Sequence, residues 1–204
     1  MYCFIHTTEE DYVFTFPDRP GFCPFSTFCN RIDPEIISGD QENHCSAVSH
    51  NRWLNQDAPS LVAGNYEAAI RIPATDLSGL EGRKLTEIYY FIREKPSSCT
   101  VKVYKKSDSN APAEQIYSTA TTSEVKAGSW NKHILSTPVE ITNDDLWISV
   151  KVGHTANTRS IGCDPGPAVE NGDWLFDDSD NEWRPLSDRA AISINWNIRG
   201  VVAP

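Results

Sequence analysis

The fold class is most legible in Ile192-Ser193-Ile194-Asn195-Trp196-Asn197-Ile198-Arg199-Gly200-Val201-Val202. Ile192, Ile194, Trp196 and Ile198 alternate with Ser193, Asn195, Asn197 and Arg199. Side chains alternate faces along a strand, so this pattern predicts one strand with an apolar face on a core and a polar face outward. Helical geometry would scatter the same residues around an axis. Leu146 to Val152 repeats the pattern, with Leu146, Ile148, Val150 and Val152 inward and Trp147, Ser149 and Lys151 outward. Cys99, Val101 and Val103 alternate likewise with Thr100, Lys102 and Tyr104.

Further strands are expected over Tyr66 to Ile72, Leu85 to Arg93, Gln115 to Thr122, Trp130 to Leu135 and Trp174 to Phe176. They are rich in β-branched and aromatic residues. Between them lie turn clusters such as Ser107 to Pro112 and Asn143-Asp144-Asp145, and Thr75 to Leu80 reads as a turn or a single helical turn. Seven or eight strands without a three-turn helix predict an all-β, antiparallel β-sandwich, because parallel strands would need crossover helices. From spacing alone, Greek-key and jelly-roll connections are equivalent. Residues 53–204 form this module.

Residues 1–52 read differently. Apart from a short strand at Tyr12 to Phe16, they carry prolines, glycines and polar residues without a period, and predict an irregular, cysteine-rich N-terminal extension. Four of the six cysteines (Cys3, Cys23, Cys29, Cys45) lie here. An even count at scattered spacing favours disulfides and an oxidising compartment. Zinc ligation by these cysteines with His6 and His44 is the competing reading, but the spacing matches no common finger. A Cys45–His50 nucleophile pair is weaker still, since such pairs arise by chance. Met1-Tyr2-Cys3-Phe4 does not begin a signal peptide. Disulfides without a leader agree if the chain is cut from a longer secreted precursor, with Met1 not its native start.

The 204 residues carry a net charge of −10. That argues against a nucleic-acid partner, whose phosphates call for Lys and Arg. At 39% hydrophobic residues the chain can bury a core, while no apolar run approaches the roughly 18–20 residues that span a bilayer.

Several segments line up as a set: Ala69-Ile70-Arg71-Ile72-Pro73-Ala74-Thr75-Asp76-Leu77, Val101-Lys102-Val103-Tyr104, Leu135-Ser136-Thr137-Pro138-Val139-Glu140-Ile141, Asp164-Pro165-Gly166-Pro167-Ala168-Val169 and Asn195-Trp196-Asn197-Ile198-Arg199-Gly200. Over residues 53–204 this set resembles a β-sandwich module of secreted and surface proteins of Bacteroidetes-type bacteria, akin to cleaved-adhesin, jelly-roll modules and often appended to peptidases. The resemblance implies a jelly-roll-like sandwich, an extracellular or cell-surface location, a larger multidomain chain and a non-catalytic adhesive or accessory role. Cys163 departs from the pattern.

Two candidate sites follow. Asp164, Glu170, Asp173, Asp177, Asp178, Asp180 and Glu182 supply the oxygens calcium takes, although the run lacks the glycine and ligand order of an EF-hand. The structural alternative, which is favoured, is that these acids cap turns. Metal ligands are expected from Asp164, Asp173, Asp177, Asp178 and Asp180. Trp147, Trp174 and Trp183, with Asp173, are the candidate ligand-binding residues, because aromatic faces stack on sugar rings while acids and amides bond hydroxyls. Their bland alternative is packing between sheets, the expectation for Trp196; for Trp147, on the polar side of its strand, the options are exposure or a second apolar face. The expected partner is a glycan or a host or matrix surface protein. An accessory domain of a secreted peptidase is the second reading and a glycan hydrolase the third. No nucleophile elbow, phosphate loop or dinucleotide fingerprint occurs.

Overall fold

The computed structural model describes residues 12–13, 57–108 and 111–203. Its strands are β1 (Tyr12–Val13), β2 (Gly64–Ile72), β3 (Lys84–Ile92), β4 (Ser98–Asp108), β5 (Ala111–Ala120), β6 (Ser129–Glu140), β7 (Leu146–His154), β8 (Cys163–Asp164), β9 (Trp174–Asp177), β10 (Glu182–Pro185), β11 (Asn195–Trp196) and β12 (Ile198–Ala203). The described helices are short: a 3-10 turn at Ala74–Leu77 and α1 at Leu186–Ala190.

Every pairing among the described strands is antiparallel. One sheet runs β1-β12-β3-β6, a second β10-β9-β2-β7-β4-β5, and β11 and β8 form a separate two-stranded ladder. Without the β9–β10 hairpin, which extends the second sheet beyond β2, the two orders are those of an eight-stranded jelly roll. The pattern follows from the inward residues. Ile70 of β2, Val101 of β4, and Ile148 and Val150 of β7 meet Leu85, Ile88, Tyr90 and Ile92 of β3 in one core. Trp196 closes it at 1% exposure, its indole N–H donating to the Trp174 carbonyl at 2.9 Å. Burial of this apolar area is the main favourable term.

The C-terminal stretch departs from its sequence reading. It is two strands, and three of its four polar residues are not outward in water: Ser193 is exposed, but Asn195, Asn197 and Arg199 are buried, while Ile192 is 39% exposed. Asn195 is spent on the preceding loop. Its Nδ2 donates to Asp164 Oδ1 at 3.0 Å and to the Pro167 carbonyl at 3.1 Å, and its Oδ1 accepts from Val169 N–H at 2.7 Å. The Arg199 guanidinium lies 4.1 Å from the Trp130 ring centroid, a cation–π contact. Gly166, at φ +75°, lets this loop close, since a Cβ there would stand 2.1 Å from the Ser193 carbonyl oxygen.

Tyr12–Val13 pairs with Val202 and Val201, so residues before 53 contribute a strand to the four-stranded sheet. The zinc reading, the Cys45–His50 pair and the four N-terminal cysteines lie outside the described residues. The disulfide expectation needs correcting at the other two cysteines, since Cys99 and Cys163 are free buried thiols.

Candidate functional site

The outward face of the six-stranded sheet is laid out by its register. One row across it reads Trp183, Phe176, Glu67, Lys151, Thr100, Ala120. The next reads Pro185, Trp174, Ala69, Ser149, Lys102, Ser118, and a third Arg71, Trp147, Tyr104, Gln115. Ala69 and Ser149 are the small residues at the middle of the face. Aromatic rings from the flanking strands fold over that gap, so the outer face carries its own apolar cluster of Ala69, Trp147 and Trp174, packed by Tyr104 and Trp183.

Trp147 lies at the bottom, at 0% exposure. Its ring centroid is 5.2 Å from Trp174 and 5.8 Å from Trp183, and Arg71 covers it at 5.8 Å. Trp174 is 6% exposed. Trp183 is half-buried, edge-on to Tyr104 at 6.5 Å and tilted against Phe176 at 5.5 Å. The structure thus brings together the three tryptophans singled out in the sequence. Two of them are buried and form the floor, and Trp183 is the least enclosed of the three. Each aromatic pair contributes about 0.5–1.5 kcal/mol beyond area burial.

Beside the rings lies a polar cluster that sequence reading did not single out. Glu67 is 2% exposed. Its Oε1 accepts from the Tyr104 hydroxyl and the Ser149 hydroxyl, each at 2.6 Å, and its Oε2 accepts from Lys102 Nζ at 2.7 Å. Burial, then the neighbouring carboxylate, push the Tyr104 phenol well above its ordinary range, so it stays a neutral donor. The signal available in the sequence was an acid at an outward position of a strand whose other outward residues are Asn65, Ala69 and Arg71.

The acids do not converge. Asp164 Oδ1 accepts from the N–H groups of Gly166 and Asn195. Asp173, 4% exposed, accepts from Ser187 N–H at 3.0 Å and so caps the first turn of α1. Asp177 accepts from Ser179 N–H at 2.8 Å in the β9–β10 turn. Asp178 pairs with Lys151 at 3.0 Å. Asp180 pairs with Arg189 at 2.6 Å, a contact that holds its carboxyl below the usual range. Among the described residues no three His, Cys, Asp or Glu side chains are grouped to hold a metal ion. Asp173 lies next to Trp174 in sequence, but its carboxylate is engaged at α1.

The histidines and cysteines among the described residues are enclosed. His154 Nε2 lies 2.7 Å from Ser160 Oγ, yet Ser160 is 0% and His154 6% exposed. Burial lowers His154 and His133. It pushes the Cys163 thiol up to about 12, assisted by Asp57 and Asp164, and raises Cys99 as well.

No family model and no curated protein matches this chain. Among solved structures it is similar to that of a clostridial cysteine protease, Cwp84, after propeptide cleavage, with 10% identity, a TM-score of 0.54 and 71% of this chain covered. The match spans 37% of the protease chain. At that identity the likeness shows the fold alone.

Proposed function

We propose that this jelly roll is an extracellular or surface-located, non-catalytic module that binds carbohydrate on the outer face of its six-stranded sheet. The observation that carries the reading is the half-buried Trp183, held by Phe176, Tyr104 and Trp147, beside the Glu67–Lys102–Tyr104–Ser149 cluster. A ring fixed on several sides is a low-entropy platform, and a sugar's apolar face stacks on such a surface. Ser118, Gln115 and Thr100 supply hydroxyls and an amide on the same face for the sugar's edge. A non-catalytic role is supported by Cys99 and Cys163, whose buried thiols with raised pKa are poor nucleophiles, and by the enclosure of the His154–Ser160 pair. The reading needs no calcium.

A second reading is an accessory domain of a secreted peptidase. It is favoured by the likeness to part of a cysteine protease chain. A binding screen of the purified chain against immobilised glycans and matrix proteins separates the two, with Trp183→Ala run alongside and circular dichroism reporting its fold. Glycan binding lost in the folded variant supports the carbohydrate reading. A blank screen, or binding indifferent to Trp183→Ala, overturns it in favour of the accessory role.

A further inference from the structure

Resting on the carbohydrate reading, we infer that the ligand of this face is an uncharged glycan, a chain of neutral pyranose units. Each of the three cations in its rows is met by a carboxylate. Lys102 Nζ lies 2.7 Å from Glu67, Lys151 Nζ 3.0 Å from Asp178, and Arg71 Nη2 2.8 Å from Asp145. Along the β10 rim, Arg184 pairs with Glu182, and Arg189 with Asp180 at 2.6 Å. The remaining positions of the three rows are Thr100, Ala120, Ser118, Ser149, Gln115, Ala69, Pro185 and aromatics, none of them charged. A glycan with repeating carboxylates or sulfates would thus approach a chain of net charge −10 and meet no surplus cation among the described residues of this face. Binding it would require breaking one of these pairs and leaving a carboxylate beside the new anion. A neutral sugar needs only ring stacking and hydroxyl hydrogen bonds, and those are what the rows offer.

The affinity for a neutral glycan is therefore insensitive to salt. Isothermal titration of the whole chain with a soluble uncharged β-glucan, an uncharged mannan and polygalacturonate tests this at about 0.02 M and about 0.5 M NaCl, a range that shortens the screening length several-fold. The expected result is binding of a neutral polymer with Kd changed by less than about twofold across that range, while polygalacturonate binds at least tenfold more weakly. Binding of polygalacturonate that depends on Trp183 and weakens about tenfold with salt overturns this inference and leaves the carbohydrate reading standing. Binding of none of the three polymers overturns the inference, and a blank wider glycan screen beside it takes the carbohydrate reading down too.

Discussion

Replacing Glu67 by Met tests whether the outer face is held by its buried carboxylate. The change removes the acceptor of three short hydrogen bonds, from Tyr104, Ser149 and Lys102. Breaking a buried ion pair from one side costs about 3–5 kcal/mol. The Lys102 side chain is 16% exposed against 3% for Glu67, so the stranded ammonium turns partly to water, which places the loss near the lower bound, about 3 kcal/mol. Lys102→Met should cost less, about 2 kcal/mol, because two hydroxyls still donate to the carboxylate. The double variant should cost about 3 kcal/mol, since those hydroxyls then lack their acceptor while no charge is stranded, giving a coupling of about 2 kcal/mol. Urea unfolding of the four proteins measures this, read as midpoint shifts at constant slope. A Glu67→Met loss below about 1 kcal/mol, or a coupling below about 0.5 kcal/mol, refutes the cluster as a cohesive unit.

Further outcomes are expected elsewhere. Gly166→Ala should destabilise by about 2 kcal/mol or more, because a Cβ at positive φ would collide with the Ser193 carbonyl; equilibrium unfolding checks it, and a neutral result would mean the loop closes differently. The urea midpoint should fall as pH rises from 9 toward about 12. The Cys163 thiol, at 9.0 unfolded and about 12 folded, favours the folded chain below pH 9 and loses that contribution as pH climbs through its folded value; Cys163→Ala should flatten this limb. His133 and His154 are lowered from 6.5 by burial, so their contribution is present above pH 6.5 and lost as pH falls below it; a midpoint unchanged from pH 7 to 5 would sink that expectation. In native chain at pH 8, alkylation followed by peptide mapping should leave Cys99 and Cys163 unmodified.

The strands were legible where one face met the core and the other did not. β4 and β7 keep the alternation expected of them, and Trp196 sits in the core as its phase requires. At residues 195–199 the same logic misplaced the polar residues, because polarity alternation cannot distinguish a solvated asparagine from a buried one whose partners are all supplied by the chain. Asn195 is satisfied by Asp164, Pro167 and Val169, which lie some thirty residues away in sequence. The acids of 164–182 looked like a cation site by composition. The favoured alternative, capping, holds for three of them: Asp164 and Asp177 cap turns and Asp173 caps α1, while Asp178 and Asp180 pair with Lys151 and Arg189, and which of these each does depends on partners brought up by other strands. Trp147 carried the useful signal. A tryptophan on the polar side of a strand left exposure or a second apolar face, and the structure has the second. Jelly-roll order emerged only from pairing, since turn spacing leaves the connections open.

The position of β12 between β1 and β3 bears on the order of assembly. Its residues are the last described in the chain, and it pairs with strands near residues 12 and 90. Until β12 is in place, the edge of β3 offers a row of unpaired backbone groups, including those of Glu87 to Tyr90. Such an edge is a template for another chain, and closing contacts this distant in sequence is slow. During synthesis, therefore, the four-stranded sheet stays open until Val202 has emerged, and a chain truncated before Ile198 should self-associate through β3 rather than fold as a monomer.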